Sequence, residues 1–362
     1  MSKWISMVFI SLIIIVLALA ACAAPAPAPS PSPTPSPAPA PKPQGPIMLK
    51  FSYDMPPNSA SGSAFSSWAK EIEEKCGGKV KIDVFGGGSL LKQQEAPEAV
   101  MAGVTDMVFV ALQAHAKLYP VNQVINLPAL NFPSTKEGMI AAWEAQTTVW
   151  NKYKAMQEAF SDVKVIQLAP LTPNFIISRK EIHAPDDLKG LVVGCEGYEA
   201  DIVKAAGGAP ENVIPPDLYP NLQKGVVDAC TVGWMHVQSH KLAEVAKYYL
   251  DHTFGHKVNL VLMNMDSWNK LPADVQGVIT SMGKPGAMAN IDNLVKFSEI
   301  GRGLAKESGG IIYSPTPAET AKWVAMNQPI TDGFLADMKK LGISDASAIF
   351  NDLKKMRDAA WK

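Results

Sequence analysis

Arginine is nearly missing from this chain: only Arg179, Arg302 and Arg357 occur in 362 residues. Lys plus Arg total 33 against 34 Asp plus Glu, so there is no basic surplus to neutralise a phosphate backbone, which argues against nucleic acid as a partner. Cysteine is also scarce. Cys22, Cys76, Cys195 and Cys230 form no C-x-x-C pair, which leaves a structural zinc site without support. Three cysteines besides Cys22 leave at least one thiol free outside the cytoplasm. Cys195 and Cys230 follow neighbouring predicted strands, which leaves room for a disulfide between them. Nucleophile motifs are missing: no G-x-S-x-G elbow and no evident triad. His236 and His240 have metal-ligand spacing, but no Glu follows His236, so the H-E-x-x-H pattern fails and a solvated or capping pair is expected. Gly86–Gly88 lacks the context of a phosphate-binding loop and is expected to be a turn. No catalytic group, metal or cofactor is therefore expected.

One long apolar run is present, from Met7 to Ala20, after a basic Lys3 and before the small residues Ala20-Ala21-Cys22. That order predicts a secretory signal over residues 1–21, too short for an ordinary membrane span. Leu19-Ala20-Ala21-Cys22 resembles a bacterial lipobox. The resemblance implies cleavage before Cys22, acylation of its thiol and attachment to the lipid bilayer. Residues 23–46 are nearly all Ala, Pro and Ser. Proline at every second or third position favours extended polyproline II, a semi-rigid tether on the order of 70 Å long at about 3.1 Å per residue.

About 315 residues follow, more than one ordinary core holds and enough for two lobes. Alternation over Ile47–Tyr53 and Val80–Phe85 predicts strands, and Phe65, Trp68, Ala69 and Ile72 recur at helical spacing within Ala64–Cys76. With a helix over Gln94–Ala102 and a strand over Met107–Leu112, the order is β-α-β-α-β, which predicts a parallel sheet covered by helices. One or two helices are predicted over Lys136–Phe160. A second series starts at Val163. It has strands at Val163–Leu168, Phe175–Ser178, Leu191–Val193 and Ala229–Val232. Helices lie over Tyr198–Ala206, Leu218–Lys224 and His236–Tyr248. Each series ends with a Gly-capped helix and a strand beginning just after Asp106 or Asp228. Val258–Met263 is a strand that crosses back, and Ala273–Lys306 is one long helical stretch. The remainder is expected to be helical, broken at Gly309-Gly310 and Pro315. Ligands of open α/β sheets sit at the carboxyl ends of strands, so two facing sheets place the ligand between the lobes.

Several segments carry a more specific likeness. His183-Ala-Pro-Asp-Asp-Leu-Lys-Gly-Leu191 resembles the P-x-D-L-K-G-L segment of the solute receptors of tripartite ATP-independent periplasmic (TRAP) transporters, the DctP-like family. Gly78-Lys-Val-Lys-Ile82 with Gly88-Ser-Leu90, and Ala102-Gly-Val-Thr-Asp106, are similar to further family segments. So are Leu218-Tyr219 with Leu222-Gln-Lys-Gly-Val-Val-Asp228, Glu244-Val245 with Lys247-Tyr248, and Trp268 with Leu271-Pro272. The matches occur in family order between about residues 48 and 340. The resemblance implies an α/β, two-lobe periplasmic-binding-protein-like (type II) fold with a long helix spanning both lobes. Lobe I would take 47–169 plus about 258–300, lobe II 170–257 plus about 301–345, and 346–362 a C-terminal helix. It implies capture of a small organic solute by hinge closure and delivery to TRAP permease subunits in the membrane. His256 resembles a family histidine at the crossover, for which a structural hydrogen-bonding role is expected.

One departure bears on the ligand. The family segment continues to an Arg whose planar fork pairs with a carboxylate. Here that position is Gly194, and Arg179 stands beside a predicted turn as a surface residue. The candidates to line the cleft are Tyr53, Asp54, Gln93, Gln94, Gln113, Asn174, Gly194 itself, Glu196, Tyr219, Thr231 and Trp234. This aromatic, amide and acidic set favours a neutral or cationic solute. Lys92 or a backbone nest would be the anchor of a carboxylate receptor instead. An extracytoplasmic enzyme and a metal-binding lipoprotein using His236 and His240 are the alternative classes.

Overall fold

The first series folds in the expected order. In the computed structural model, residues 45–362 are described, apart from the side chains of Leu171 and Val258. The signal, Cys22 and tether expectations therefore lie outside the described residues. Strand β1 (Ile47–Ser52) leads to helix α1 (Ala60–Lys75), β2 (Val80–Phe85), α2 (Ala96–Met101) and β3 (Met107–Ala111). Ser59 Oγ accepts the Gly62 N–H at 3.2 Å and starts α1. Its apolar stripe, including Phe65, Trp68 and Ile72, is buried. Helix α3 (Lys136–Lys152) and β4 (Val163–Pro173) follow, β4 running five residues beyond the expected strand end at Leu168.

The second series comprises β5 (Phe175–Ser178), β6 (Val192–Cys195), α4 (Glu199–Ala205), β7 (Ala209–Asn212), α5 (Leu218–Lys224) and β8 (Ala229–Val232). Gly225 closes α5 at φ 73°, a left-handed conformation suited to glycine. The aspartates repeat in structure as in sequence. Asp106 accepts the Lys50 N–H of β1 at 2.8 Å, and Asp228 accepts the Val192 N–H of β6 at 3.1 Å. Then come α6 (Trp234–Ser239), β9 (Tyr248–Leu250), β10 (His256–Asn264), α7 (Met265–Asn269), α8 (Ala273–Ser281) and α9 (Gly283–Glu307). Strand β11 (Ile311–Tyr313) and helices α10 (Pro317–Ala325), α11 (Asn327–Lys340) and α12 (Ala346–Ala360) complete the chain.

Two mixed sheets result. The first has the order β2-β1-β3-β10-β4 and the second β11-β9-β5-β8-β6-β7. Strands β1, β2 and β3 are parallel, whereas β10 runs antiparallel to both β3 and β4. In the second sheet β5 is antiparallel to β8 and β9. The chain crosses between sheets at Asn174, which joins β4 to β5, and again between β9 and β10. Helix α9 packs on α1 and β4 of the first lobe and on α6 and β11 of the second, so it braces both. Gly286 permits the close approach, because a Cβ there would lie 2.5 Å from the Trp68 ring. The Trp68 indole donates to the Met282 carbonyl at 2.8 Å.

Several expectations are corrected. The helix expected over His236–Tyr248 stops at Ser239. Lys241 takes a left-handed φ of 55°, and Tyr248 opens strand β9. The stretch Ala273–Lys306 is two helices that meet at Met282. Pro285 falls in the first turn of α9, where its missing N–H costs no helical bond. Strands β7, β9 and β11 were not expected; β7 and β11 are short edges, and Pro210 is tolerated in β7 for that reason. Cys76, Cys195 and Cys230 are all free, so the allowed Cys195–Cys230 disulfide does not form.

Candidate functional site

Residues just beyond β1, β3 and β6, together with residues of β8, line one cavity between the lobes, where an open α/β sheet binds ligands. From the first lobe come Asp54, Gln93, Phe109 and Gln113, and from the second Asn174, Glu196, Thr231, Met235 and His236. Lys257, at the start of β10, reaches in from the crossover. The free volume is ≈ 50 Å³, room for a few waters.

A buried ion pair anchors the second-lobe wall. Lys257 Nζ donates to Glu199 Oε2 at 3.1 Å and to the Glu196 carbonyl at 3.2 Å. Glu199, in the first turn of α4, also accepts from Thr231 Oγ1 at 2.9 Å and from Asn174 Nδ2 at 3.1 Å. Both charged side chains are buried, at 7% and 4% exposure. Such a pair persists because its remaining lone pairs are satisfied. Lys257, the one cation among the described residues lining the cavity, is thus already neutralised by a carboxylate.

Two further carboxylates lack such a partner. Burial pushes the Glu196 carboxyl up to about 7; Lys257 and the Gln93 side-chain amide pull it back, while Glu199 and Asp54 push it further. Burial likewise raises Asp54 above the usual carboxylate range, against the pull of the backbone N–H groups of Asp54 and Met55. Asp54 Oδ1 and Gln113 Oε1 are buried acceptors with no donor. Burial holds His236 neutral, its pKa pushed down to about 3, helped by the neighbouring His240 ring.

Of the sequence candidates, Asp54, Gln93, Gln113, Asn174, Glu196 and Thr231 come together here. The others do not. Tyr53 packs in the first-lobe core, its hydroxyl on the Gly62 carbonyl at 3.1 Å. Gln94 is exposed on the turn that buries Gln93. A Cβ at Gly194 would meet Val213 and Leu218 at 3.3 Å, so these apolar side chains occupy the space a longer residue would need. Tyr219 points away to Glu244 Oε2 at 2.8 Å. Trp234 stacks between Tyr249 and the Arg302 guanidinium, beside the crossover rather than in the cleft.

Sequence reasoning missed Lys257 and Glu199, the centre of the network. The signal was available: a lysine opening an apolar strand at the crossover, and a glutamate in the turn after Glu196-Gly197. His236 was set aside and yet lines the cavity. The His236 and His240 rings stack at 5.2 Å, and among the described residues no group of three or more His, Cys, Asp or Glu is placed to hold a metal. His256 departs from its expected hydrogen-bonding role. Neither ring nitrogen has a partner, and it packs edge-on against Phe132.

Two braced α/β lobes with a polar cavity where their sheets meet define a solute-binding receptor of the binding-protein class. Residues 51–337 match the family model described as bacterial extracellular solute-binding protein, family 7. The chain belongs to this DctP family. It is 24% identical over 302 residues to the C4-dicarboxylate-binding periplasmic protein DctP of Vibrio cholerae, covering 81% of this chain and 88% of that one. A TRAP periplasmic solute-binding protein from Desulfovibrio salexigens superposes with TM-score 0.75 at 25% identity, covering 86% of this chain and 95% of that one. A marine-metagenome TRAP solute-binding protein specific for aromatic acids, solved with 3-hydroxybenzoate, superposes with TM-score 0.80 at 21% identity, covering 88% and 100%. The chain is a TRAP-type receptor and not an enzyme.

Proposed function

We propose that this receptor captures a small solute that is neutral or positively charged and donates several hydrogen bonds, and hands it to TRAP permease subunits. One observation carries the reading. Among the described residues, two carboxylates, Asp54 and Glu196, line the cavity against one cation, Lys257, which Glu199 behind the wall already engages. A ligand ammonium, N–H or O–H beside Asp54 and Gln113 would supply the donor that Asp54 Oδ1 and Gln113 Oε1 lack. The apolar surroundings of Gly194 agree, since no planar cation stands there to fork onto a carboxylate. Closure follows from contacts made to both lobes only when they meet. No helix among the described residues is long and apolar enough to cross a membrane. Acylation of Cys22 supplies the membrane attachment in this reading.

A second reading has its own support. The Vibrio cholerae relative binds C4-dicarboxylates and the marine-metagenome protein aromatic acids. A hydroxy acid would place its carboxylate on Lys257 and its hydroxyl on Asp54 or Gln113. Native mass spectrometry of the purified chain for a retained molecule, followed by thermal shifts with amines, polyols, dicarboxylates and aromatic acids, separates the two. The ligand stabilises according to its concentration over Kd. Amines or polyols are expected to give the largest shifts. Larger shifts with acids, lost in Lys257→Met, would establish the second reading.

A further inference from the structure

A second cavity, of ≈ 420 Å³, lies where the lobes join, bounded by the end of β4, the start of α3, the start of α6 and the C-terminal half of α9. Met139, Phe175 and Val295 form apolar parts of its wall. Three other wall residues, Thr172, Trp234 and Ser298, each carry a buried hydrogen-bonding atom with no partner: Thr172 Oγ1, Trp234 Nε1 and Ser298 Oγ. Trp234 and Thr172 are 2% and 4% exposed, so the missing bonds are not made good by bulk water. Native proteins rarely leave such groups unpaired, and three of them belong to residues of this one wall.

The charges nearby define what that occupant is. Arg302 is ion-paired: both terminal nitrogens donate to Asp251, at 2.9 and 2.7 Å, and its guanidinium carbon lies 4.3 Å from the Trp234 ring centre. Lys136 is paired with Asp292. Both cations among the described residues lining the cavity are thus paired, and Glu299 adds a negative charge at the rim. We propose that this cavity is a second small-molecule site, separate from the cleft, that takes a neutral amphiphile bearing a hydroxyl or carbonyl. The oxygen accepts from the Trp234 indole N–H, a hydroxyl proton serves Thr172 or Ser298, and the apolar body lies on Met139 and Val295. Helix α6 links the sites, since Trp234 borders this cavity while Met235 and His236 border the cleft.

Phenol is a suitable probe, and the indole N–H resonance of Trp234, assigned by its loss in Trp234→Phe, is the readout in the full chain. The site predicts a saturable shift of that resonance with phenol. Val295→Trp, which fills the cavity from α9, is expected to abolish the shift, and Gln113→Leu in the cleft to leave it intact. Retention of the shift in Val295→Trp, or its loss in Gln113→Leu, would place phenol elsewhere and overturn the proposal. So would a phenol-soaked crystal showing only water beside Trp234 Nε1. These outcomes do not depend on which solute the cleft takes.

Discussion

The two walls of the cleft are wired differently. On the second-lobe side, Glu199 accepts from Lys257, Thr231 and Asn174, so the buried acid is fully engaged before any solute arrives. On the first-lobe side, Asp54 Oδ1 and Gln113 Oε1 lie buried without a donor. An unsatisfied buried polar group costs about 1–3 kcal/mol, which a ligand can recover by pairing with it. In the proposed reading, the second-lobe wall is thus a preformed frame, and the first-lobe wall is where a solute gains most. The same α/β series, repeated with the same aspartate contact at Asp106 and Asp228, has been put to two uses.

The harshest way to break this contrast is Lys257→Met. It leaves Glu199 a buried, unpaired carboxylate, and the expected loss is about 3–5 kcal/mol, read as a lowered urea midpoint. Converting both partners to apolar residues, Lys257→Met with Glu199→Leu, should restore most of it, because the isolated charge and not the missing bond is the expensive part. A Lys257→Met protein as stable as the parent would show that the frame is not preformed.

Next in size is a pH effect centred on Glu196. Its folded pKa of about 7 stands above the ordinary 4.5. The stability it contributes is therefore complete below about pH 4.5 and is lost as pH rises through 7. His236, His240, His252 and His256, all held neutral by burial, act in the opposite direction. The difference between the parent and Glu196→Gln isolates the carboxyl. Unfolding midpoints at pH 5 and pH 8 should show the parent losing stability relative to Glu196→Gln at the higher pH. A parallel response of the two proteins would mean that Glu196 is not desolvated.

Much of this architecture is legible in the sequence. Alternation marks β1 and β2, and the glycines after α1 and α5 mark the ends of those helices, because those signals are local. Strands β9 and β11 were invisible, since three residues carry no period and their pairing comes from distant partners. In the cleft, Asp54, Gln113 and Glu196 could be read as polar residues beyond strand ends. Tyr219 and Trp234 misled because an aromatic side chain near a strand end has two faces to choose from, and both here turn to Glu244 and Arg302. Lys257 and Glu199 lie 58 residues apart in the chain, so their pairing exists only once β10 and α4 are brought together.

The finest comparison sets one polar group of each wall against its apolar near-isostere. Thr231→Val removes a hydroxyl that donates to Glu199 at 2.9 Å, and it should cost about 1–3 kcal/mol, because the acceptor it leaves behind is charged and buried. Gln113→Leu removes an acceptor that bonds to nothing, so its stability should stay level or rise by up to about 1 kcal/mol. Binding should follow the reverse order. Whatever solute native mass spectrometry retrieves is expected to lose at least about tenfold in affinity from Gln113→Leu, equal to about 1.4 kcal/mol, and less from Thr231→Val. Calorimetric titration of both variants beside their urea curves tests the pair. If Gln113→Leu destabilised the empty protein while sparing the affinity, the division between a wired wall and a receptive wall would fail, since the amide would then be serving the fold.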